Sequence, residues 1–154
     1  MRNKLPWILV GILSLIIIGL LFNFVVRGSV VNGTDGRTAI MLETGEKDFI
    51  LTEMRAFLST VQQLNQALAN EDLATAATIA RASGMDAVNM APGPMMAKLP
   101  ASFMQLGLST HGRFDDLADL AETSDSSLEV LAELSSIMQN CVGCHAAYRL
   151  DIEP

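Results

Sequence analysis

Five consecutive residues carry the most explicit chemistry in this 154-residue chain: Cys141-Val142-Gly143-Cys144-His145. Two thiols three positions apart can each add to one vinyl group of a single porphyrin. The histidine that follows at once can offer an imidazole nitrogen to the iron. C-x-x-C-H is the attachment sequence for c-type haem. The spacing therefore predicts one covalent haem c on Cys141 and Cys144, with His145 as the proximal iron ligand. The chain has no other cysteine. A thioredoxin-like C-x-x-C wants alternating strands and helices, with its first thiol at a helix N-terminus. This motif instead falls near the end of a long helical pattern. A structural zinc site takes about four ligands, and only His145 and the distant His111 could join the thiols.

The elements that must position the motif are helices. The first is expected from about Glu46 to Asn70, where Ile50, Met54, Phe57, Val61, Leu64 and Leu68 alternate steps of four and three, the inner seam of a bundle helix. A shorter alanine-rich helix follows Asn70, a plausible N-cap, and stops near Gly84. Pro92, Gly93 and Pro94 forbid a regular helix between Met85 and Leu99. Pro100 suits the first turn of a third helix with a face of Phe103, Leu106, Thr110, Phe114, Leu117 and Ala121. Gly107 and Gly112 weaken that helix and predict a break near His111. Ser126-x-x-Glu129 is a capping-box pattern that opens the fourth. Its seam is read as Leu128, Leu131, Ser135, Met138, Cys141, His145 and Tyr148, which turns the motif inward. No stretch shows sustained strand alternation.

Trp7 to Val26 is a run of 20 residues without a charged side chain. As one helix it would span roughly 30 Å, the thickness of a bilayer core. Arg2 and Lys4 lead it, Arg27 follows, and Trp7 sits where an interfacial aromatic would, which together favour a cytoplasmic N-terminus. A cleaved signal would have a shorter apolar region and a small-residue cleavage site. Val25 to Ser29 offers none. Residues 1–28 are thus expected to form an N-terminal membrane anchor, 29–45 a linker and lead-in segment, and 46–154 the haem domain. The expected fold is all-α: an antiparallel four-helix bundle with covalent haem, preceded by one transmembrane helix.

Ten Lys and Arg stand against 17 Asp and Glu, a net charge of −7. With Arg2 and Lys4 ahead of the apolar run, the remainder is more acidic still. That balance disfavours nucleic acid. It can steer basic redox partners, or simply keep the domain soluble.

Four such helices with C-x-x-C-H on the last resemble the class II c-type cytochromes, the cytochrome c′ type of up-down-up-down bundle. The likeness covers about Glu46 to Leu150 and is sharpest at Cys141-Val-Gly-Cys-His-Ala-Ala-Tyr-Arg149. The resemblance implies a haem held mostly by the first and last helices and attached on the outer side of the bacterial inner membrane. It also implies a basic residue beside the proximal imidazole, a place that Arg149 occupies. The anchor, the methionine- and proline-rich connection, and the adjacency of Met54 and Arg55 depart from the family pattern.

The expected function turns on what faces the iron opposite His145, because a thioether or second imidazole suits electron transfer and an apolar residue leaves the iron open to gases. Met54, on the inner seam of the first helix, is the first candidate. An open pocket capped by Leu58 is the second and His111 the third, with Met90, Met95, Met96 and Met104 behind them. Arg55 and Arg37 are candidates to pair with haem propionates. The reading is a membrane-tethered mono-haem electron carrier, not an enzyme. It would be single-pass in the inner membrane with its haem domain in the periplasm, would meet membrane-bound or periplasmic redox proteins, and would be free to serve as a subunit of a redox complex or an oligomer. The alternative is a protein that binds nitric oxide or carbon monoxide at an open distal site.

Overall fold

The computed structural model describes residues 4–90 and 92–154, with residues 23–25, 89 and 90 described through their backbone alone. Arg2, part of the basic lead, lies outside the described residues, as does the side chain of Met90.

The protein is mostly helical, with a small sheet. Helix α1 runs Leu5–Leu21, α2 Thr44–Ala69, α3 Leu73–Arg81, α4 Gly93–Met96, α5 Ala101–Thr123 and α6 Ser127–Ala147. Four of them form a ring: α3 packs on α2 and α5, and α6 packs on α5 and α2. Their shared core holds Leu64, Leu68, Phe114, Leu117, Val130, Leu134 and Ile137, with Ala76, Ala77 and Ala80 letting α3 approach closely. The seam expected on α2 is therefore the one that packs. Helix α5 runs through Gly107 and Gly112 without the expected break.

The membrane anchor is corrected. No helix among the described residues is long and apolar enough to cross a membrane. The 20-residue run is not one α-helix: α1 ends at Leu21 after 17 residues, about 26 Å at 1.5 Å per residue. The backbone continues as a π-helical segment, Phe22–Arg27. The absence of charge spoke to composition, not to unbroken winding. With the anchor goes the placement as a single-pass inner-membrane protein with a periplasmic domain.

Residues 29–45 also differ from the expected linker. Strand β1 (Val30–Asn32) pairs antiparallel with β2 (Thr38–Leu42), and β2 pairs in parallel with β3 (Tyr148–Ile152). The register sets Thr38 against Tyr148 and Leu42 against Ile152. Strand β3 begins where α6 ends, so this sheet holds the end of the helix that carries the motif. Ile40 and Leu42 pack with Ile50, Met95 and Leu99 in a second cluster.

Helix ends show the sequence's capping logic with two shifts. Asn70 closes α2 rather than opening α3. The Asp72 N–H reaches the Ala67 carbonyl at 2.9 Å and the Glu71 N–H that of Leu68 at 3.1 Å, with Glu71 in the left-handed region at φ 58°, a Schellman closure. Asp72 then caps α3, accepting from the Thr75 N–H at 3.0 Å. Ser126 caps α6 by accepting from the Glu129 N–H at 3.3 Å. The Glu129 carboxylate accepts instead from the Ser124 hydroxyl at 2.7 Å.

Candidate functional site

On α6 the buried residues are Val130, Leu134 and Ile137. Steps of four, three and four continue that face to Cys141, and three more residues reach Cys144. The motif thus lies on the side of α6 that lines a cleft, with Cys141 and His145 exposed and Cys144 half-buried. It is reached by a different seam from the expected one: Leu128 and Leu131 are exposed, and Met138 is exposed at the edge of the cleft. The helix is apolar on two sides, so its periodicity alone could not choose between them. What changes along the inward face is its surroundings. Its first half is filled by the core. Its second half opens on a cavity of about 280 Å³.

That cavity is a cleft walled by α2, α5, α6 and the 85–99 connection. Cys141, Cys144 and His145 line it from α6, Met54, Phe57 and Leu58 from α2, and Phe103, Met104, Gly107 and His111 from α5. Its surface is overwhelmingly carbon and sulfur. Met95, Met96 and Met138 bring the thioethers on its wall to five. The two cysteines are free, Cys141 exposed and Cys144 half-buried. Burial pushes both thiols up from their ordinary range, and Cys141 adds to the effect on Cys144. A thioredoxin-like pair needs the opposite shift.

The predicted residues do not all converge. Met54 lines the cleft and packs against the Ile40–Leu42–Ile50 cluster. Leu58 lines it from an exposed position. His111 lines it too, but its ring is already engaged. Nδ1 donates to the Ser83 carbonyl at 2.9 Å, and Nε2 lies 3.5 Å from the Glu53 carboxylate. Burial opposes a charge on this imidazole; Glu53 and Ser83 outweigh it and hold the ring above its ordinary range. Arg55 donates to Thr52 at 2.8 Å on the exposed face of α2. Arg149 is not on the last helical turn. It lies in β3, paired with Asp151 at 2.9 Å and 3.5 Å from Asp35.

Three features escaped the sequence reading. Arg37 donates to the carbonyls of His145 and Tyr148, each at 3.3 Å. Tyr148 shares a 2.7 Å hydrogen bond with Ser102 and stacks edge-on to Phe103 at 5.3 Å. Thr60 and Ser83 share a buried 2.8 Å hydrogen bond behind His111. The first two tie the end of α6 to segments over 40 residues away, a distance at which local spacing carries no signal.

Among the described residues no group of three or more His, Cys, Asp and Glu could hold a metal ion. The reading of the chain as metal-binding, with His145 and Met54 or His111 as iron ligands, finds no such donor group among the described residues and is corrected to that extent. No family model matches the chain, no curated protein is similar to it, and no solved structure matches it.

Proposed function

We propose that the cleft takes one c-type haem, joined to Cys141 and Cys144 with His145 as the iron's proximal ligand, and that the protein is an electron carrier rather than an enzyme. The observation that carries this reading is the change along one helix face: the stripe that buries Val130, Leu134 and Ile137 becomes two thiols and an imidazole where the core gives way to a cleft. An iron already held by a porphyrin asks the protein for only one or two axial ligands, so the lack of a larger donor cluster does not count against it. The apolar walls suit a flat hydrophobic group. Gly107 helps, because a Cβ built there meets nothing within 4 Å and the helix backbone can be approached closely.

When bound, such a group supplies a one-electron iron couple. The chain's part is to hold and shield it. His145 would offer an imidazole and Met54 a thioether to the iron, and Phe57 and Phe103 would keep water from the cleft. On this reading the ring of helices is the antiparallel bundle of the class II c-type cytochromes. The acidic surface suits basic redox partners.

The test has two stages. Denaturation in acid and organic solvent, followed by mass and visible absorption, should leave haem on the polypeptide; haem that extracts freely refutes the attachment. The reduced spectrum should then be low-spin and unmoved by carbon monoxide, and Met54→Ala should open it to the gas. A wild-type spectrum that shifts promptly would replace the carrier with the gas-binding reading.

A further inference from the structure

Helix α6 ends at Ala147, two residues past His145. The last carbonyls of a helix have no intrahelical donor, and they carry the negative end of its dipole. Here one side chain meets them. Arg37, 108 residues away in sequence, sets its Nη1 3.3 Å from the His145 carbonyl and 3.3 Å from that of Tyr148. The rest of the guanidinium is fixed from behind. Nε and Nη2 donate to the Asp35 carboxylate at 2.9 and 2.6 Å, and the Arg37 N–H donates to the same carboxylate at 3.2 Å. Asp35 is itself 3.5 Å from Arg149, which Asp151 holds at 2.9 Å. The backbone agrees with the side chains: Thr38, next to Arg37, is in register with Tyr148.

We propose that Arg37 is a positioning residue for His145, fixing the backbone from which the imidazole projects and setting a cation at the C-terminal end of α6. This rests on the haem reading. Arg149 does not share this position: its side chain is turned to Asp35 and Asp151. Two consequences follow. The fork on two carbonyls restrains the imidazole's orientation. A cation there also favours the iron state of lower charge, so it raises the reduction potential. Asp35 opposes the second effect while enforcing the first.

The test uses the full haem-loaded chain, with covalent haem verified by mass. Arg37→Gln should shift the oxidised-to-reduced ratio at fixed ambient potential about tenfold toward oxidised, about 59 mV for one electron. It should also alter the electron paramagnetic resonance signal that reports axial imidazole orientation. Asp35→Asn keeps the cation, removes its counter-charge, and should move the potential the other way; it decides the matter if Arg37→Gln does not fold. Haem-loaded variants with wild-type potential and signal would overturn the proposal alone. A wild-type chain that never carries haem would overturn the haem reading and this proposal with it.

Discussion

Gly107 and Gly112 lie on the same helix, and a Cβ at either meets nothing within 4 Å. Only Gly107 lines the cleft. This makes an internal control. A glycine in a helix interior costs about 0.8–1.0 kcal/mol relative to alanine. With no clash at either position, Gly107→Ala and Gly112→Ala should each stabilise the haem-free chain by roughly 0.5–1 kcal/mol. For a domain of this size that is a rise of about 2–4 °C in Tm per kcal/mol. Leucine separates the two positions. At Gly107 its side chain enters a cavity of about 280 Å³ and competes with whatever belongs there. At Gly112 it does not. Urea denaturation followed by circular dichroism measures the first effect, and haem per polypeptide by mass measures the second. Gly107→Leu should lose attached haem while Gly112→Leu keeps it. Equal haem content in the two leucine variants would refute the cleft as the cofactor site. An alanine variant less stable than wild type would refute the reasoning about α5.

Other perturbations test the frame. Leu64 is fully buried in the four-helix core, so Leu64→Ala should cost about 2–5 kcal/mol in chemical denaturation. Glu71 sits at φ 58° in the α2–α3 closure, a conformation that costs an L-residue roughly 1–2 kcal/mol; Glu71→Gly should raise the urea midpoint without changing the slope. Arg37 holds the Asp35 carboxyl down to about 2. A carboxyl depressed on folding stabilises the native state above its unfolded value, near 4, and loses that contribution as pH falls through about 2. Acid unfolding should therefore begin at higher pH in Asp35→Asn than in wild type; coincident acid titrations would show that the Asp35–Arg37 pair does not couple to folding.

The parts of this fold legible in the sequence are those set by local periodicity. The seam of α2 and the entry to α5 at Pro100 needed only spacing and one proline. The placement of Cys141 and Cys144 late on a long helix was legible as well, but which face of that helix packs was not, because Leu128–Leu131–Met138 and Val130–Leu134–Ile137 are both apolar stripes. What decides between them is α5 and α2, which pack on one and not the other. The sheet was hidden for a related reason. Thr38–Leu42 is one apolar stretch whose strand character depends on pairing with Tyr148–Ile152, over 100 residues on. The connection from β1 to β2 runs through Asn32-Gly33 and Asp35-Gly36, residue pairs that say nothing by themselves of what a turn joins. Arg37 is the extreme case: nothing near it in sequence distinguishes it from a solvated arginine.

The cleft's inner boundary explains how one interior holds both a packed core and an open cleft. Phe57 stacks on Phe114 at 5.4 Å and tilts against His111 at 4.9 Å, and all three rings line the cleft. Behind them His111 is held by Ser83, and Ser83 by Thr60. Among the described residues no buried side-chain nitrogen or oxygen lacks a partner, so this floor is satisfied by protein groups alone. A fully satisfied buried network rigidifies its surroundings, whereas a half-satisfied one is worse than carbon. The core side of the floor therefore needs no ligand to be stable. On the cleft side the walls are apolar and open to solvent, so a group that covers them removes hydrocarbon surface from water. A group that binds only the folded chain adds its binding energy there. It follows that a cofactor in this cleft would act chiefly on the second half of α6 and the 85–99 connection. The far end of the ring, closed by α3 and its alanines, should be nearly indifferent to it.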